Sequence, residues 1–429
     1  MFKRLTLAVL VMLLVGCVGL SWHSEVPPIG APPSSSFPAA QVALGGQLAG
    51  AGGCAGCHTA AGGLAYGGGV GLETGFGTIY STNISPDVQT GIGSWSLAAF
   101  DRALRQGVAR DGTHLFPAFP YTHFTLLSDG DVGALYAYFM TRDPVSSPSR
   151  ANRIPFPLNV RSLQAGWKLL FFKPGVYRAD ARRGEAWNRG AYLAEGIAHC
   201  AACHTPRNRF GAERSDAPYA GAPLDGWVAP TLSAASPAPV PWSQQDLYDY
   251  LRNGESERHG VAAGAMAAVV HQGLARLPDS DIQALATYFS DLGGAAGREP
   301  QAAAALALAQ TRRLADVGQE TDPAANLYLA GCAYCHYSAA PGPGKVSGSL
   351  ALSTALTADD PANFIQTVLH GVGGAGTPGP YMPAFAGALT DADIALLAAY
   401  LRRTRSDRPA WPNLLPTVTA HRPMAAVPP

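Results

Sequence analysis

Apolar positions along this chain fall into a pattern that returns three times. Leu127-Ser128-Asp129-Gly130-Asp131-Val132 runs into the apolar stretch Val132–Phe139. Leu277-Pro278-Asp279-Ser280-Asp281-Ile282 leads into Gln283–Phe289, and Leu389-Thr390-Asp391-Ala392-Asp393-Ile394 into Ala395–Leu401. Each reads as a helix with aspartates in its first turn, where the positive end of the helix dipole favours them. Ser128 is a good N-cap for the first copy. Tyr138, Tyr288 and Tyr400 hold the same place in the three copies. Ahead of the first, Gln41–Ala51 is compatible with a helix, and Ser96-Leu97-Ala98-Ala99-Phe100 opens another on a capping serine. No strand-rich pattern is evident, so the expectation is an all-α chain.

The stretches between these helices change in composition. Residues 18–37, with Pro27-Pro28, Pro32-Pro33 and Ser34–Ser36, read as an unstructured tether. Pro144–Pro157 opens a Pro/Ser-rich linker that leads to the apolar Leu163–Phe172, with Trp167, Phe171 and Phe172. On a surface loop, so many aromatics point to packing against another module or a partner protein. Residues 296–320 are Ala-rich and helix-compatible. Past Arg405, Pro409, Pro412, Pro416 and Pro423 predict an extended tail. The expected division is three domains at 38–143, 184–295 and 321–406. A tether at 17–37, linkers at 144–183 and 296–320, and a tail at 407–429 complete it.

Bulk numbers agree. A chain of 429 residues has room for about three domains. Lys plus Arg and Asp plus Glu balance at 30 each, so no net field draws nucleic acid or an anionic membrane face. With 49 Gly, 35 Pro and only 14% charged residues, the composition suits small helical domains whose long loops wrap an apolar cofactor.

The cysteines say which cofactor. Of seven, six sit in three copies of C-x-x-C-H: Cys54-Ala55-Gly56-Cys57-His58, Cys200-Ala201-Ala202-Cys203-His204 and Cys332-Ala333-Tyr334-Cys335-His336. This is the attachment signature of c-type haem. Two thiols one helical turn apart form thioethers to the porphyrin, and the adjacent histidine turns its ring onto the iron. Zinc would need sets of four ligands, into which three equal units do not divide. A thioredoxin-like dithiol expects a βαβ context that is not seen. The expectation is three covalently bound haem c, with His58, His204 and His336 as proximal ligands. The first cysteines of the motifs lie 146 and then 132 residues apart, so motif and closing helix together make an internal triplication. Each repeat resembles the class I cytochrome c fold, in which the first and last helices cross beside the haem.

The seventh cysteine belongs to the N-terminus. Lys3 and Arg4 precede the apolar run Leu5–Val15, which is too short to span a bilayer and reads as a secretory signal over residues 1–16. Leu14-Val15-Gly16-Cys17 resembles the lipobox of bacterial lipoproteins, which implies that Cys17 carries a lipid. Both features place the chain on the periplasmic face of a bacterial cytoplasmic membrane, lipid-anchored.

Each haem of an electron carrier commonly takes a second strong ligand, often Met. Outside the signal and the tail the chain has only Met140, Met266 and Met382. Met382 and Met266 precede their closing helices by 7 and 11 residues, in the loop that would cross the open haem face. Met140 instead falls at the end of its closing helix, where Ser290 and Arg402 stand in the other repeats. The corresponding loop of the first module, His114-Leu115-Phe116-Pro117-Ala118-Phe119-Pro120-Tyr121-Thr122-His123-Phe124, has no Met but two His. His123 is the first choice there, with Met140, His114 or an open site as alternatives.

Over nearly all its mature length the chain resembles the tri-haem cytochrome c subunit of bacterial membrane-bound periplasmic dehydrogenases. The specific pieces are Phe76–Ile84, Thr90–Trp95, Leu135–Tyr138, Trp187–Leu193, Cys203–Asn208 and Met382–Phe385. Among these enzymes are quinoprotein alcohol dehydrogenases, flavin-dependent gluconate and sorbitol dehydrogenases, and molybdenum hydroxylases acting on aldehydes, nicotinate or isoquinoline. The resemblance implies a catalytic dehydrogenase subunit as electron donor, accompanied by a small Fe-S or accessory subunit, and ubiquinone or a terminal oxidase as acceptor. Alcohol-dehydrogenase members usually have Pro-Ala-Met-Pro-Tyr where this chain has Pro117-Ala118-Phe119-Pro120-Tyr121. The Phe form with a downstream His is more similar to subunits that accompany molybdenum hydroxylases. Three haem domains leave little chain for a catalytic fold of its own. The competing class is a multi-haem peroxidase with one open haem, which carbon monoxide binding to the reduced protein would reveal.

Overall fold

Each C-x-x-C-H motif carries its own short helix, Cys54–His58, Ala201–His204 and Ala333–His336, with Cys200 and Cys332 just ahead of the second and third, in a computed structural model that describes residues 22–312, 321–336, 349–373 and 381–422. Cys17 and the signal stretch lie outside the described residues. The chain is mostly helical, as expected, and among the described residues it adds three short two-stranded antiparallel hairpins that were not expected. Gly71–Thr74 pairs with Gly77–Tyr80, Ala222–Leu224 with Trp227–Ala229, and Glu255–Ser256 with Gly260–Val261. The second turns on Asp225-Gly226, both at positive φ (46° and 77°), the two-residue turn whose twist suits a hairpin.

The chain divides into two units, one of Met1–Asp180, Tyr192–His199 and Arg209–Ala212, the other of Ala181–Ala191, Cys200–Asn208 and Glu213–Pro429. In the first unit the leading helix, Ala39–Ala51, packs on the closing helix, Asp129–Met140. They touch at Gly45, where an added Cβ would stand 2.0 Å from the Ala134 carbonyl oxygen. A middle helix, Leu97–Gln106, opens on the Ser96 hydroxyl, which accepts from the Ala99 N–H, and ends at Gly107 (φ 61°).

Two expectations need correction in this unit. Residues 22–37 are not free: Val26 N–H donates to the Arg110 carbonyl and Ile29 N–H to that of Ser94, both at 2.9 Å. Arg102 donates to the Ser24 carbonyl, and Arg110 pairs with Glu25. Backbone groups find partners on the first module, so the stretch stays down. Likewise, Leu163–Phe171 inside the expected linker is a helix. Trp167 Nε1–H donates to the Phe210 carbonyl at 3.0 Å, and the Phe172 ring meets Tyr121 edge-on.

In the second unit the closing helix Asp279–Leu292 meets the leading helix Glu185–Glu195 at Gly190, again 2.0 Å from a carbonyl oxygen, that of Ala284. Arg189 grips Asp281 with two hydrogen bonds of 2.8 and 2.7 Å. The third copy packs Pro323–Gly331 on Asp391–Arg405, whose Thr390 and Asp393 form a capping box. Tyr328, Ile365, Leu369, Ile394 and Tyr400 make its core. Glu299–Arg312 is helical and packs Ala309 against Val240 and Leu352.

The tail is not extended over 407–422. Leu414–His421 forms a helix, and Trp411 and Val418 join the core of the third copy. Burying two apolar side chains seven residues apart outweighs the prolines. Pro416 falls in the helix's first turn, where its missing N–H costs nothing. Trp411 Nε1–H donates to the Ala358 carbonyl, and the Arg402 guanidinium lies 4.3 Å over the indole. No helix among the described residues is long and apolar enough to cross a membrane.

Candidate haem attachment sites

The neighbours of two motif histidines fix their tautomer. His58 Nδ1–H donates to the Thr82 carbonyl and His204 Nδ1–H to the Pro230 carbonyl, each at 2.7 Å. A carbonyl only accepts, so both rings keep their proton on Nδ1 and present an Nε2 lone pair, as a metal-ligating histidine must. Desolvation lowers both pKa values, and the accepting carbonyls pull the other way. His336 is lowered by desolvation too; its Nδ1 is buried without a partner among the described residues, and 337–348 lie outside them.

One loop design builds both supports. Thr59 Oγ1 accepts from the Tyr66 N–H at 3.1 Å, and Thr205 Oγ1 from the Tyr219 N–H at 3.0 Å. Both tyrosines sit in the left-handed region, with φ of 64° and 56°. Gly68 N–H then donates to the His58 carbonyl and Gly221 N–H to that of His204, each at 2.8 Å. A hairpin carries the chain on to the carbonyl that orients the imidazole. Each tyrosine ring meets a closing-helix phenylalanine edge-on: Tyr66 with Phe139 at 5.2 Å, Tyr219 with Phe289 at 5.7 Å. Reading the sequence missed all four residues. Their signal is a threonine directly after each histidine, and a tyrosine two places before a glycine in Tyr66-Gly67-Gly68 and Tyr219-Ala220-Gly221.

Burial, with the neighbouring motif cysteine adding to it, pushes Cys54 and Cys200 up to about 12 and Cys332 to about 11; burial also raises Cys57. All six motif cysteines, Cys54, Cys57, Cys200, Cys203, Cys332 and Cys335, are free of disulfides. A reactive dithiol needs a lowered thiol, the opposite of what is seen. Nor do three His, Cys, Asp or Glu side chains converge on a metal site among the described residues. Two thiols a turn apart, free of disulfides and beside an oriented Nε2 in the first two motifs, fit a covalently attached haem.

The residues expected on the distal side are differently placed. Met266 lies in the short helix Ala265–Ala268, two residues past Gly264, where a Cβ would strike the Trp227 ring at 2.7 Å. Met382 exchanges both backbone hydrogen bonds with Val372, at 3.0 and 2.9 Å. Both side chains are half-buried. His123 sits in the short helix Tyr121–Phe124, buried, and its Nδ1–H donates to the Glu195 carbonyl at 2.8 Å. It therefore holds the same tautomer as His58 and His204. Its ring also lies 6.3 Å from His199, whose Nε2–H donates to the Gly52 carbonyl. Met140 is the last, buried residue of its closing helix. Its counterpart Arg402 turns toward the Leu356, Ala358 and Pro409 carbonyls. His114 Nδ1 accepts from Lys168 Nζ at 3.0 Å, and its ring meets His23 edge-on at 5.0 Å.

Similarity to known proteins follows the same outline. Residues 42–143 match the cytochrome c family, and residues 319–401 match the family described as cytochrome C oxidase, cbb3-type, subunit III. A nicotinate dehydrogenase subunit of Pseudomonas putida is 47% identical over 403 residues, 92% of this chain but 33% of that protein. The chain thus spans about a third of that relative's length. The fructose dehydrogenase cytochrome subunit of Gluconobacter japonicus is 37% identical over 87% of this chain and 82% of its own. A diheme cytochrome c-type protein of Cereibacter sphaeroides is 37% identical over 67% of this chain and 97% of its own. With the attachment motifs, their supporting loops and these likenesses together, the chain belongs to the family of cytochrome c subunits of dehydrogenases.

Proposed function

We propose that this chain is a three-haem electron relay. Cys54 and Cys57, Cys200 and Cys203, and Cys332 and Cys335 hold the haems, with His58, His204 and His336 as proximal ligands. The observation that carries this is the pair of Nδ1–H···O=C bonds of His58 and His204, each built by the same threonine–tyrosine–hairpin loop. Haem, when bound, supplies one-electron Fe(III)/Fe(II) cycling. What the chain contributes is orientation and ligand choice. Met266 and Met382 would supply the second ligand to the second and third haems. His123 serves the first, its ring held by the Glu195 carbonyl. Met140 is the alternative, but its counterpart Arg402 is engaged with the Pro409 and Ala358 carbonyls. His114 is engaged with Lys168 and drops out. A His/His first haem would sit lower in potential than two His/Met haems, which makes the first module the place where electrons arrive or branch.

The electron donor is a catalytic dehydrogenase subunit with a small Fe-S or accessory subunit, and the acceptor is ubiquinone or a terminal oxidase. A molybdenum hydroxylase is favoured as donor by the Phe119 form of the first distal loop and by the likeness to the nicotinate dehydrogenase subunit. A flavin or quinoprotein partner is the second reading, favoured by the likeness to the fructose dehydrogenase cytochrome subunit. Cys17 carries the lipid that holds the chain on the periplasmic face of the membrane. Pyridine haemochrome assay and mass of the mature protein test the relay. Three haems per chain are expected, and two would overturn the count. Proteins co-purifying from detergent-treated membranes identify the donor; a partner without molybdenum would overturn that choice.

A further inference from the structure

The helix Leu163–Phe171 is inside out. Its one charged residue, Lys168, turns inward and donates to the Gln106 and Gly107 carbonyls at 2.6 and 2.8 Å and to His114 Nδ1. Trp167 and Phe171 face the first unit with it, ringed by Tyr121 and Phe210. The outward face is Leu163, Gly166, Leu169 and Leu170, with the last two 70% and 71% exposed. Nothing lies within 4 Å of where a Gly166 Cβ would stand. Just upstream, Phe156 is 81% exposed, and Leu158 is open as well. A helix that hides its charge and shows its leucines is suited to an apolar neighbour.

The first described residues lie beside this face. His23 packs edge-on against His114, the same ring that receives Lys168 and whose carbonyl receives Arg161 at 3.0 Å. Trp22, 73% exposed, and His23 share a cleft with Arg161 and Ser162, next to the start of the helix. Cys17 is six residues before His23, so its side chain can stand no further than about 20 Å from that cleft. Lys173 and Arg178, both exposed, follow the helix in the chain and offer charges of the sign that headgroup phosphates attract.

We propose that this face of the first unit is a membrane-contact surface. Trp22, Phe156, Leu163, Leu169 and Leu170 enter the headgroup–acyl boundary of the periplasmic leaflet, beside the lipid of Cys17. The inference rests on the lipidation of Cys17 given above, and it adds what a lipid on a flexible stem cannot supply, a fixed orientation of the haem module on the bilayer.

Flotation of the haem-loaded protein with vesicles of phosphatidylethanolamine and phosphatidylglycerol, followed by haem absorbance, tests it. The protein is made unacylated by Cys17→Ser, so that only the face can bind. It is expected to float with the vesicles. Leu169→Glu with Leu170→Glu, both at exposed sites, should lower its partitioning on the order of 100-fold with the visible spectrum unchanged. An unacylated chain that stays in solution overturns the proposal. So does a double variant that floats like its parent, or one that floats normally but no longer co-purifies with the dehydrogenase, which would make the face a protein interface. The mass of the native N-terminal peptide separately decides the Cys17 reading. A peptide without acyl mass overturns lipidation and leaves the flotation result to stand on its own.

Discussion

The first and second modules are alike around their motif histidines and unlike in the loops that carry His123 and Met266. Gly45 and Gly190 sit at the same crossing, each 2.0 Å by an added Cβ from a carbonyl oxygen of the closing helix. Thr59 and Thr205, Tyr66 and Tyr219, and the carbonyls of Thr82 and Pro230 repeat hydrogen bond for hydrogen bond. Across the site the likeness stops: one module offers His123 on the Glu195 carbonyl, the other Met266 beside Gly264 and Trp227. The shared half answers a demand that does not vary, two thiols and an oriented imidazole on one short helix. The half that varies is the one through which a protein sets potential.

Breaking the shared half should have the largest effect. Gly190→Val places a branched side chain where not even a methyl fits, and is expected to cost about 3 kcal/mol or more. The holoprotein should then carry one haem fewer by pyridine haemochrome, with the other two retained. Gly45→Val should do the same in the first module. Full haem content and an unchanged thermal midpoint in Gly190→Val would show that the crossing relaxes.

Exchanging the half that differs should move a potential rather than a fold. His123→Met is expected to raise the lowest of the three midpoints by on the order of 100 mV, since the axial ligand is a main lever on haem potential. Met140→Leu should leave all three where they were. The reverse pattern in redox titration would hand the first haem to Met140.

Parts of this were legible in the sequence and parts were not, for reasons that can be assigned. Closing helices announce themselves because a cap and first-turn aspartates are local, as at Ser128 and Thr390, whose hydroxyls accept from Asp131 and Asp393 N–H. Asp225-Gly226 is an equally local hairpin signal, missed because the strands on either side, Ala222–Leu224 and Trp227–Ala229, are too short to show an alternation. The tail misled because its prolines are local, whereas the burial of Trp411 and Val418 is a tertiary fact. Nothing local marks Gly45, Gly190 or the carbonyls of Thr82 and Pro230. Their role depends on a backbone oxygen far along the chain, which no side chain encodes.

The smallest expected effect separates the two middle helices. Leu97–Gln106 opens on Ser96 with Ala99 at its third position, whereas Gln244–Asn253 opens on Ser243 with Asp246 there, closing a capping box. Burial alone would raise the Asp246 carboxyl. Against that, His259 at 3.8 Å and the hydroxyls of Ser243 and Ser256 bring it down to about 2. The folded carboxylate thus stays charged where the unfolded one already takes a proton. Its contribution is complete above about pH 4, near the ordinary aspartate value, and fades as the pH falls toward 2. The depression corresponds to about 2 kcal/mol at neutral pH. Asp246→Asn should therefore loosen residues 244–253 in hydrogen exchange at pH 7, and much less at pH 2.5, relative to the parent at the same pH. Residues 97–106, with no carboxylate at the matching place, should not respond. An Asn variant as well protected as its parent at pH 7 would show that the capping box, rather than the charge, holds this helix.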